Sequence, residues 1–228
     1  GQYEIQLLQL QRRKFRKLLH NTKAIKPDDN NFQCRGIFEK NGQLFVGTYG
    51  GVRRIELANE RYLELPTASD RFFSLLEDQK GKLWFGYKGL VRLDSLGDNM
   101  EAVYPNEEIR IWSLFEDRKG AFWLGMKMGI AIFKDEKIIP FEQYHDFPEL
   151  ANAIILFFYE DRSGSIWIGS DVGLFQLDLE KGIVAGFGKN RLGIHYLPSN
   201  KFQHMYQDDE GIYWLATEDA GLLRWDFE

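Results

Sequence analysis

The stretch EDRSGSIWIGSDVGLFQLD, residues 160–178, decides the fold of this chain. Two short apolar runs, at 166–168 and 174–177, each lie just after a glycine. Runs of about four to eight residues that are rich in β-branched and aromatic side chains, and bounded by Gly, Asp and Ser, are typical of β-strands. A third such run precedes them at 154–159. The stretch therefore predicts three strands joined by tight turns.

The same pattern recurs along the chain, with Gly three residues and Trp six residues after an Asp. Four copies share it: Asp78, Gly81, Trp84; Asp117, Gly120, Trp123; Asp161, Gly164, Trp167; and Asp208, Gly211, Trp214. A weaker first copy has Glu39, Gly42 and Phe45, and the five aromatic anchors are 39, 39, 44 and 47 residues apart. Four-stranded units at a period of about 40–50 residues are typical of propeller blades. The sequence therefore predicts an all-β fold, a β-propeller of four-stranded antiparallel blades with about five blades present.

Each repeat position has a physical role. The Asp-x-x-Gly element predicts a tight turn, because the carboxylate accepts backbone N–H bonds and the glycine adopts positive φ. The Trp is too large for one sheet to bury, so we expect it to pack between neighbouring blades. A small residue two positions after each aromatic anchor predicts a close backbone approach. These small residues are Gly47, Gly86, Gly125, Gly169 and Ala216.

These motifs resemble the two-component regulator propeller repeat. The pattern is clearest at residues 77–90, 116–130, 160–174 and 207–222, and it departs at Glu39, Phe45 and Gln207. The resemblance covers nearly the whole chain from about residue 37. It implies an extracytoplasmic, periplasmic sensor propeller of a bacterial histidine kinase or hybrid two-component system, often from a carbohydrate-utilising bacterium. A kinase domain would then lie outside this chain.

Composition narrows the function. The chain has 228 residues, 44% of them apolar, and a net charge of −5, which argues against nucleic-acid binding. No apolar run is long enough for a transmembrane span. The four histidines have no zinc-ligand spacing, and the Asp-x-x-Gly turns lack the ligand ladder of a calcium loop. We therefore expect no metal, no cofactor and no catalytic residue.

The repeats divide the chain into blades. Residues 1–20 predict the end strands of a preceding blade, with a basic amphipathic helix as the alternative. Blades follow at 33–66, 71–105, 108–146 and 152–198, with a partial blade at 201–228. The glycine-rich segment 182–193 is interpreted as an inserted surface loop. The predicted strands do not fill a whole number of blades, so either an N-terminal strand completes the last blade or the chain is part of a larger propeller. We favour the second, with the remaining blades of the same protein, or another protomer, as partners.

The loops between second and third strands, and the residues before the inner strands, share one face of a propeller. Binding residues usually lie on loops positioned by a rigid sheet. The candidate ligand-binding residues on this face are Tyr49, Arg71, Tyr87, Lys88, Arg110, Lys127, Asn152, Asp171 and Glu218. Aromatic, amide and charged side chains of this kind suit an oligosaccharide or another small polar molecule.

Three functions compete. A sensor or ligand-binding module has the most support, because the repeats match and no catalytic constellation is evident. A protein-interaction platform comes second, although the repeat lacks the Gly-His and Trp-Asp pairs of WD-repeat proteins. A propeller lyase or hydrolase comes third; it would need a convergent pair such as His204 with Glu218 near the axis.

Overall fold

The computed structural model describes residues 6–9, 14–17, 34–48, 51–59, 61–65, 72–93, 99–142 and 147–226. Within these ranges the chain forms nineteen β-strands, and every ladder between two strands is antiparallel. The only helical elements described are two short 3-10 helices, Pro148–Asn152 and Gly193–His195. The described residues thus contain no helix long and apolar enough to cross a membrane. The all-β propeller fold is confirmed.

The described N-terminal residues, 6–9 and 14–17, are paired antiparallel strands. Strand β1 (Gln6–Gln9) pairs with β2 (Lys14–Lys17), which confirms the strand interpretation. The first four-stranded blade follows in the order β3 (Cys34–Lys40), β4 (Gln43–Thr48), β5 (Gly51–Glu56) and β6 (Arg61–Glu64).

The second and third blades are joined in one six-stranded sheet. Its strands are β7 (Ser74–Glu77), β8 (Leu83–Leu93), β9 (Met100–Glu116), β10 (Phe122–Met126), β11 (Ile130–Lys134) and β12 (Lys137–Pro140), in the order β12-β11-β10-β9-β8-β7. The first part of β8 pairs with β7 and its second part with the first part of β9. The second part of β9 pairs with β10, so β9 continues through the predicted blade boundary at 105–108 without a break.

The last two blades are separate sheets. The fourth contains β13 (Ile155–Glu160), β14 (Ile166–Ser170), β15 (Leu174–Asp178) and β16 (Gly182–Phe187). The fifth has three described strands, β17 (Phe202–Gln207), β18 (Tyr213–Thr217) and β19 (Leu222–Trp225).

The interpretation of residues 182–193 as a surface loop is wrong for its first half, because Gly182–Phe187 is the outer strand of the fourth blade. Strand β16 pairs with β15 despite its glycines, since Ile183 and Phe187 are buried against the blade. Gly186 has a packing role, because a Cβ atom there would lie 2.9 Å from the Phe147 ring.

The Asp-x-x-Gly-x-x-Trp element closes each turn with a side-chain network. In the fourth blade, Asp161 Oδ1 accepts the Ser165 N–H at 2.9 Å and Oδ2 accepts the Trp167 indole N–H at 2.8 Å. Gly164 has φ of 86°, which a side chain would strain. The indole bond recurs from Trp84 to Asp78 at 2.8 Å, from Trp123 to Asp117 at 2.9 Å and from Trp214 to Asp208 at 2.7 Å. The Asp therefore fixes both the turn and the orientation of the Trp.

Four of the five aromatic anchors, Phe45, Trp84, Trp123 and Trp167, pack against the following blade, as predicted. Trp167 is fully buried in a cluster with Phe202 and Tyr213 of the fifth blade. In the same way, Phe45 clusters with Phe85, Trp84 with Ile111, and Trp123 with Ile166, each partner belonging to the next blade. The main hydrophobic clusters therefore lie between blades, and neighbouring sheets stabilise each other.

The residue before the repeat Asp connects each blade to the preceding one. Glu116 Oε2 accepts the Gln79 backbone N–H at 2.6 Å, Glu160 Oε2 accepts that of Arg118 at 2.8 Å, and Gln207 Oε1 accepts that of Arg162 at 3.0 Å. Each acceptor lies one blade after its donor. Glu or Gln at this position therefore joins consecutive turns around the propeller.

The close approach predicted two positions after each anchor is confirmed at Gly86, Gly125 and Gly169, whereas a Cβ atom added to Gly47 would lie 3.8 Å from Phe72, which is an ordinary contact. A Cβ atom added to Gly169 would lie 1.8 Å from the Phe157 ring, and one added to Gly125 would lie 2.0 Å from Ser113 Oγ. In the fifth blade Ala216 pairs with His204 at the matching place. Side chains of the inner strands thus pack directly on this small residue, and the inner strands can therefore lie close to the adjacent strands.

Candidate ligand-binding pocket at the propeller axis

The inner strands of four successive blades surround one pocket of about 460 Å³. Its lining residues are Phe73, Trp112, Ile154, Leu156, Asp171, Lys201, Gln203 and Glu218. Neighbouring inner strands contact each other in the order β3, β7, β9, β13 and β17. A pocket reached by four of these five blades lies at the propeller axis, on the face where the inner strands begin.

Four lining residues occupy the same repeat position. Phe73, Trp112, Leu156 and Gln203 each lie five residues before the repeat Asp. The next position on the same strand face lies two residues earlier, since side chains alternate along a strand. Ile154 and Lys201 are there in the fourth and fifth blades and also line the pocket. The repeat therefore builds two tiers of side chains around the axis.

Two aromatic rings form one wall of the pocket. Phe73 and Trp112 are stacked with their ring centroids 4.2 Å apart and their planes 3° from parallel. The indole Nε1 of Trp112 is buried and has no hydrogen-bond partner in the part of the chain that the structure describes. The wall thus combines an apolar ring surface with one buried donor.

Carboxylates and an ammonium also line the pocket. Asp171 and Glu218 come from the loops between the second and third strands of the fourth and fifth blades. Asp171 Oδ1 accepts the Ile154 N–H at 2.8 Å, and Lys201 Nζ donates to Glu218 Oε1 at 3.0 Å. This hydrogen bond, followed by the negative charges of Glu218, Asp219 and Asp171, raises the pKa of Lys201 above its usual value. The ammonium is therefore held among carboxylates beside the pocket.

A second group of predicted residues lies behind the aromatic wall. The Tyr87 ring contacts the Phe73 ring edge-on, with a centroid distance of 4.9 Å. The Arg110 guanidinium and the Lys88 ammonium lie 5.3 Å and 5.9 Å from the Tyr87 centroid. The backbone N–H of Lys127 donates to the Arg110 carbonyl at 2.9 Å. The structure thus brings Tyr87, Lys88, Arg110 and Lys127 together, but none of them lines the pocket.

The remaining predicted site residues have other positions. Tyr49 and Arg71 lie outside the described residues. Asn152 ends the 3-10 helix Pro148–Asn152 and is exposed, and Ile154 takes the pocket position predicted for it. The reason is spacing: Ile154 lies seven residues before Asp161, as Arg110 does before Asp117 and Lys201 before Asp208.

Sequence reasoning missed Phe73, Trp112, Leu156 and Gln203 as pocket residues. Aligning the repeats could have identified these residues, because the side chain five residues before the repeat Asp changes from aromatic to aliphatic to amide between blades. A position that a repeat fold does not need for packing is free to serve a ligand. The pocket therefore offers carboxylate and amide acceptors, ammonium and amide donors, and an aromatic ring face. The described residues contain no group of three or more His, Cys, Asp or Glu side chains placed to hold a metal ion.

Fold and pocket together define a propeller with a pocket at its axis. The family model described as the two component regulator propeller matches residues 196–219, which include the repeat copy Asp208, Gly211 and Trp214. The resemblance predicted from the repeats is thereby confirmed for this segment. No curated protein matches the chain.

Solved structures share the architecture. The extracellular domains of two hybrid two-component systems from B. thetaiotaomicron are similar, at 18% identity with a TM-score of 0.71 and at 19% identity with a TM-score of 0.70. They match 86% and 93% of this chain, which spans only 27% and 29% of theirs. Virginiamycin B lyase from Staphylococcus aureus is also similar, at 14% identity and a TM-score of 0.62, over 88% of this chain and 71% of the lyase. Identities this low establish the shared propeller fold alone.

Proposed function

We propose that this chain is a non-catalytic ligand-binding propeller module of a two-component signalling protein, and that it senses a carbohydrate outside the cytoplasm. The observation that carries the proposal is the axial pocket, which collects chemically different side chains from one repeat position in four blades. The regulator-propeller match at 196–219 and the likeness to extracellular domains of hybrid two-component systems support the signalling context.

The groups around the pocket suit a saccharide. Sugar hydroxyls both donate and accept hydrogen bonds, and Asp171 and Glu218 offer acceptors while Lys201 offers a donor. The stacked pair of Phe73 and Trp112 supplies an apolar surface for the C–H face of a sugar ring. Ligand sites of this kind combine a hydrophobic lining with a few oriented polar groups.

The periplasm is the compartment we propose. The similar domains from B. thetaiotaomicron are extracellular. A propeller on the outer side of the inner membrane would meet saccharides before import. Fusing the native protein to a periplasm-specific reporter tests this, because a cytoplasmic location would leave the reporter inactive.

A glycan array and calorimetry test the binding. We expect the purified chain to bind a subset of saccharides, and Glu218→Ala to weaken that binding at least about tenfold, since removing a charged hydrogen-bond acceptor costs roughly 1.5–3 kcal/mol. The matched control is Glu180→Ala. Glu180 is exposed on the turn between β15 and β16, at the opposite end of the strands from the pocket. No binding to any saccharide, or equal loss in both variants, would contradict the proposal.

The lyase alternative has weaker support. Glu218 lines the pocket, but His204 is stacked against Phe157 at a centroid distance of 5.9 Å and does not line it. Gln203 and His204 lie at a register shift of β17, and of the two only Gln203 lines the pocket.

A further inference from the structure

The pocket lining carries an excess of negative charge. Two carboxylates, Asp171 and Glu218, face it together with one ammonium, that of Lys201. The other five lining side chains are uncharged. The cations Lys88, Arg110 and Lys127 lie behind the aromatic wall and are not part of the lining.

The nearby ion pairs do not remove this excess. Lys201 is bonded to Glu218, and Lys189 Nζ lies 2.5 Å from Asp219 Oδ2, so these two pairs are each neutral. Asp171 forms no ion pair in the part of the chain that the structure describes, and its Oδ1 accepts only a backbone N–H. One net negative charge therefore remains at the pocket wall.

Each carboxylate also has one oxygen without a hydrogen-bond donor among the described residues. Lys201 bonds to Glu218 through Oε1 and the Ile154 N–H bonds to Asp171 through Oδ1, which leaves Oε2 and Oδ2 for a ligand. An ionised carboxylate accepts hydrogen bonds and donates none. A ligand hydroxyl or ammonium can therefore bind at these two oxygens, whereas a ligand carboxylate placed beside them meets acceptors of like charge.

We propose that this pocket selects neutral and amino saccharides over acidic saccharides, with Asp171 and Glu218 as the specificity-determining residues. This inference rests on the proposed function, because it names the class of saccharide that the sensor takes. The raised pKa of Lys201, caused first by its bond to Glu218 and then by the surrounding negative charges, fits this electrostatic setting.

Coulomb's law gives the expected difference in affinity between neutral and acidic saccharides. Two unit charges about 6 Å apart at an effective dielectric constant of about 40 repel enough to weaken binding about tenfold. Salt screens exposed charges, so the discrimination should shrink as the ionic strength rises.

The test uses oligosaccharides arrayed in matched triads, in which the neutral sugar, the hexosamine and the hexuronic acid share backbone, linkage and length. Triads with gluco, galacto and manno backbones are compared, and bound members are measured by calorimetry at low and high salt. In every triad that binds, we expect the acidic member to be at least about tenfold weaker than the neutral member at low salt.

Isosteric variants locate the effect. The double variant Asp171→Asn/Glu218→Gln should reduce the preference to about twofold or less, and Lys201→Met should increase it, because each changes the net charge in a known direction. Glu180→Gln, on the opposite end of the fourth blade, is the matched control and should leave the preference unchanged. Urea unfolding curves confirm that each variant is folded.

The outcomes separate the two proposals. An acidic member that binds as tightly as its neutral counterpart, or a preference that survives in the double variant, overturns this inference and leaves the sensor proposal intact. If no member of any triad binds, both the inference and the proposed function fail.

Discussion

Replacing Tyr213 with Phe tests whether single side-chain bonds hold adjacent blades together. The Tyr213 hydroxyl in the fifth blade donates to Asp161 Oδ2 in the fourth blade at 2.8 Å. Both residues are buried, with 6% and 1% of their surfaces exposed. Asp161 keeps its bonds from Trp167 and Ser165 in the variant, so no charge is left unpaired. Losing one hydrogen bond to a charged group should lower the free energy of unfolding by about 2 kcal/mol.

Urea titration followed by tryptophan fluorescence measures this change, and Tyr206→Phe is the matched control. Tyr206 lies in the same blade, but its side chain is 54% exposed, so its loss of a hydroxyl should cost less than about 0.5 kcal/mol. The result that refutes the reasoning is a Tyr213→Phe variant as stable as Tyr206→Phe.

The same bond has a pH signature. Burial raises the pKa of Asp161, but hydrogen bonds from Ser163, Trp167, Tyr213 and Ser165 outweigh it and hold the pKa below its usual value. The stabilisation is therefore complete above about pH 4, near the unfolded pKa, and is lost as the pH falls through the lower folded pKa. The gap in stability between the Tyr213→Phe variant and the unchanged protein should narrow in that acidic window.

Three further predictions concern the repeat. Glu160→Ala should lower the free energy of unfolding, measured by urea titration, by about 1–2 kcal/mol, because the Arg118 N–H loses its acceptor. Glu160→Gln should keep most of that stability. Equal losses in the two variants would show that this hydrogen bond does not stabilise the contact between the blades. Gly169→Ala should lower the free energy of unfolding by about 1–3 kcal/mol or more, because its Cβ would overlap the Phe157 ring 1.8 Å away. An unchanged free energy of unfolding would show that the ring moves aside freely. Asp161→Asn should flatten the loss of stability as the pH falls below about 4, and an unchanged acid titration would assign that loss to other carboxylates.

The elements predicted correctly are those whose cause is local in sequence. The turn at Asp161 and Gly164 is formed by residues within one short segment, so it can be predicted from the sequence without knowledge of the fold. The packing of Trp167 between blades follows from its size and its recurrence. By contrast, the bond from Glu160 to Arg118 joins residues 42 positions apart and depends on how two blades meet. Sequence spacing gives no measure of that geometry.

The pocket was predicted only in part for a related reason. Loop position identified Asp171 and Glu218, because loops of a rigid sheet commonly carry ligand groups. Trp112 and Gln203 lie within inner strands, where an aromatic or amide side chain is hard to distinguish from packing. Gly182–Phe187 was mistaken for a loop because glycine content outweighed its buried Ile183.

The NMR signals of the six tryptophan indole N–H groups are the sharpest test of whether a saccharide binds at the propeller axis. Four indoles are bonded to repeat carboxylates, whereas Trp112 lines the pocket and its buried Nε1 has no hydrogen-bond partner among the described residues. A ¹⁵N-labelled sample, with Trp112 assigned through Trp112→Phe, is titrated with the saccharide that the array selects. We expect the Trp112 signal to shift while those of Trp123 and Trp167 stay in place. A saturating saccharide that leaves Trp112 unchanged would contradict binding at the axis.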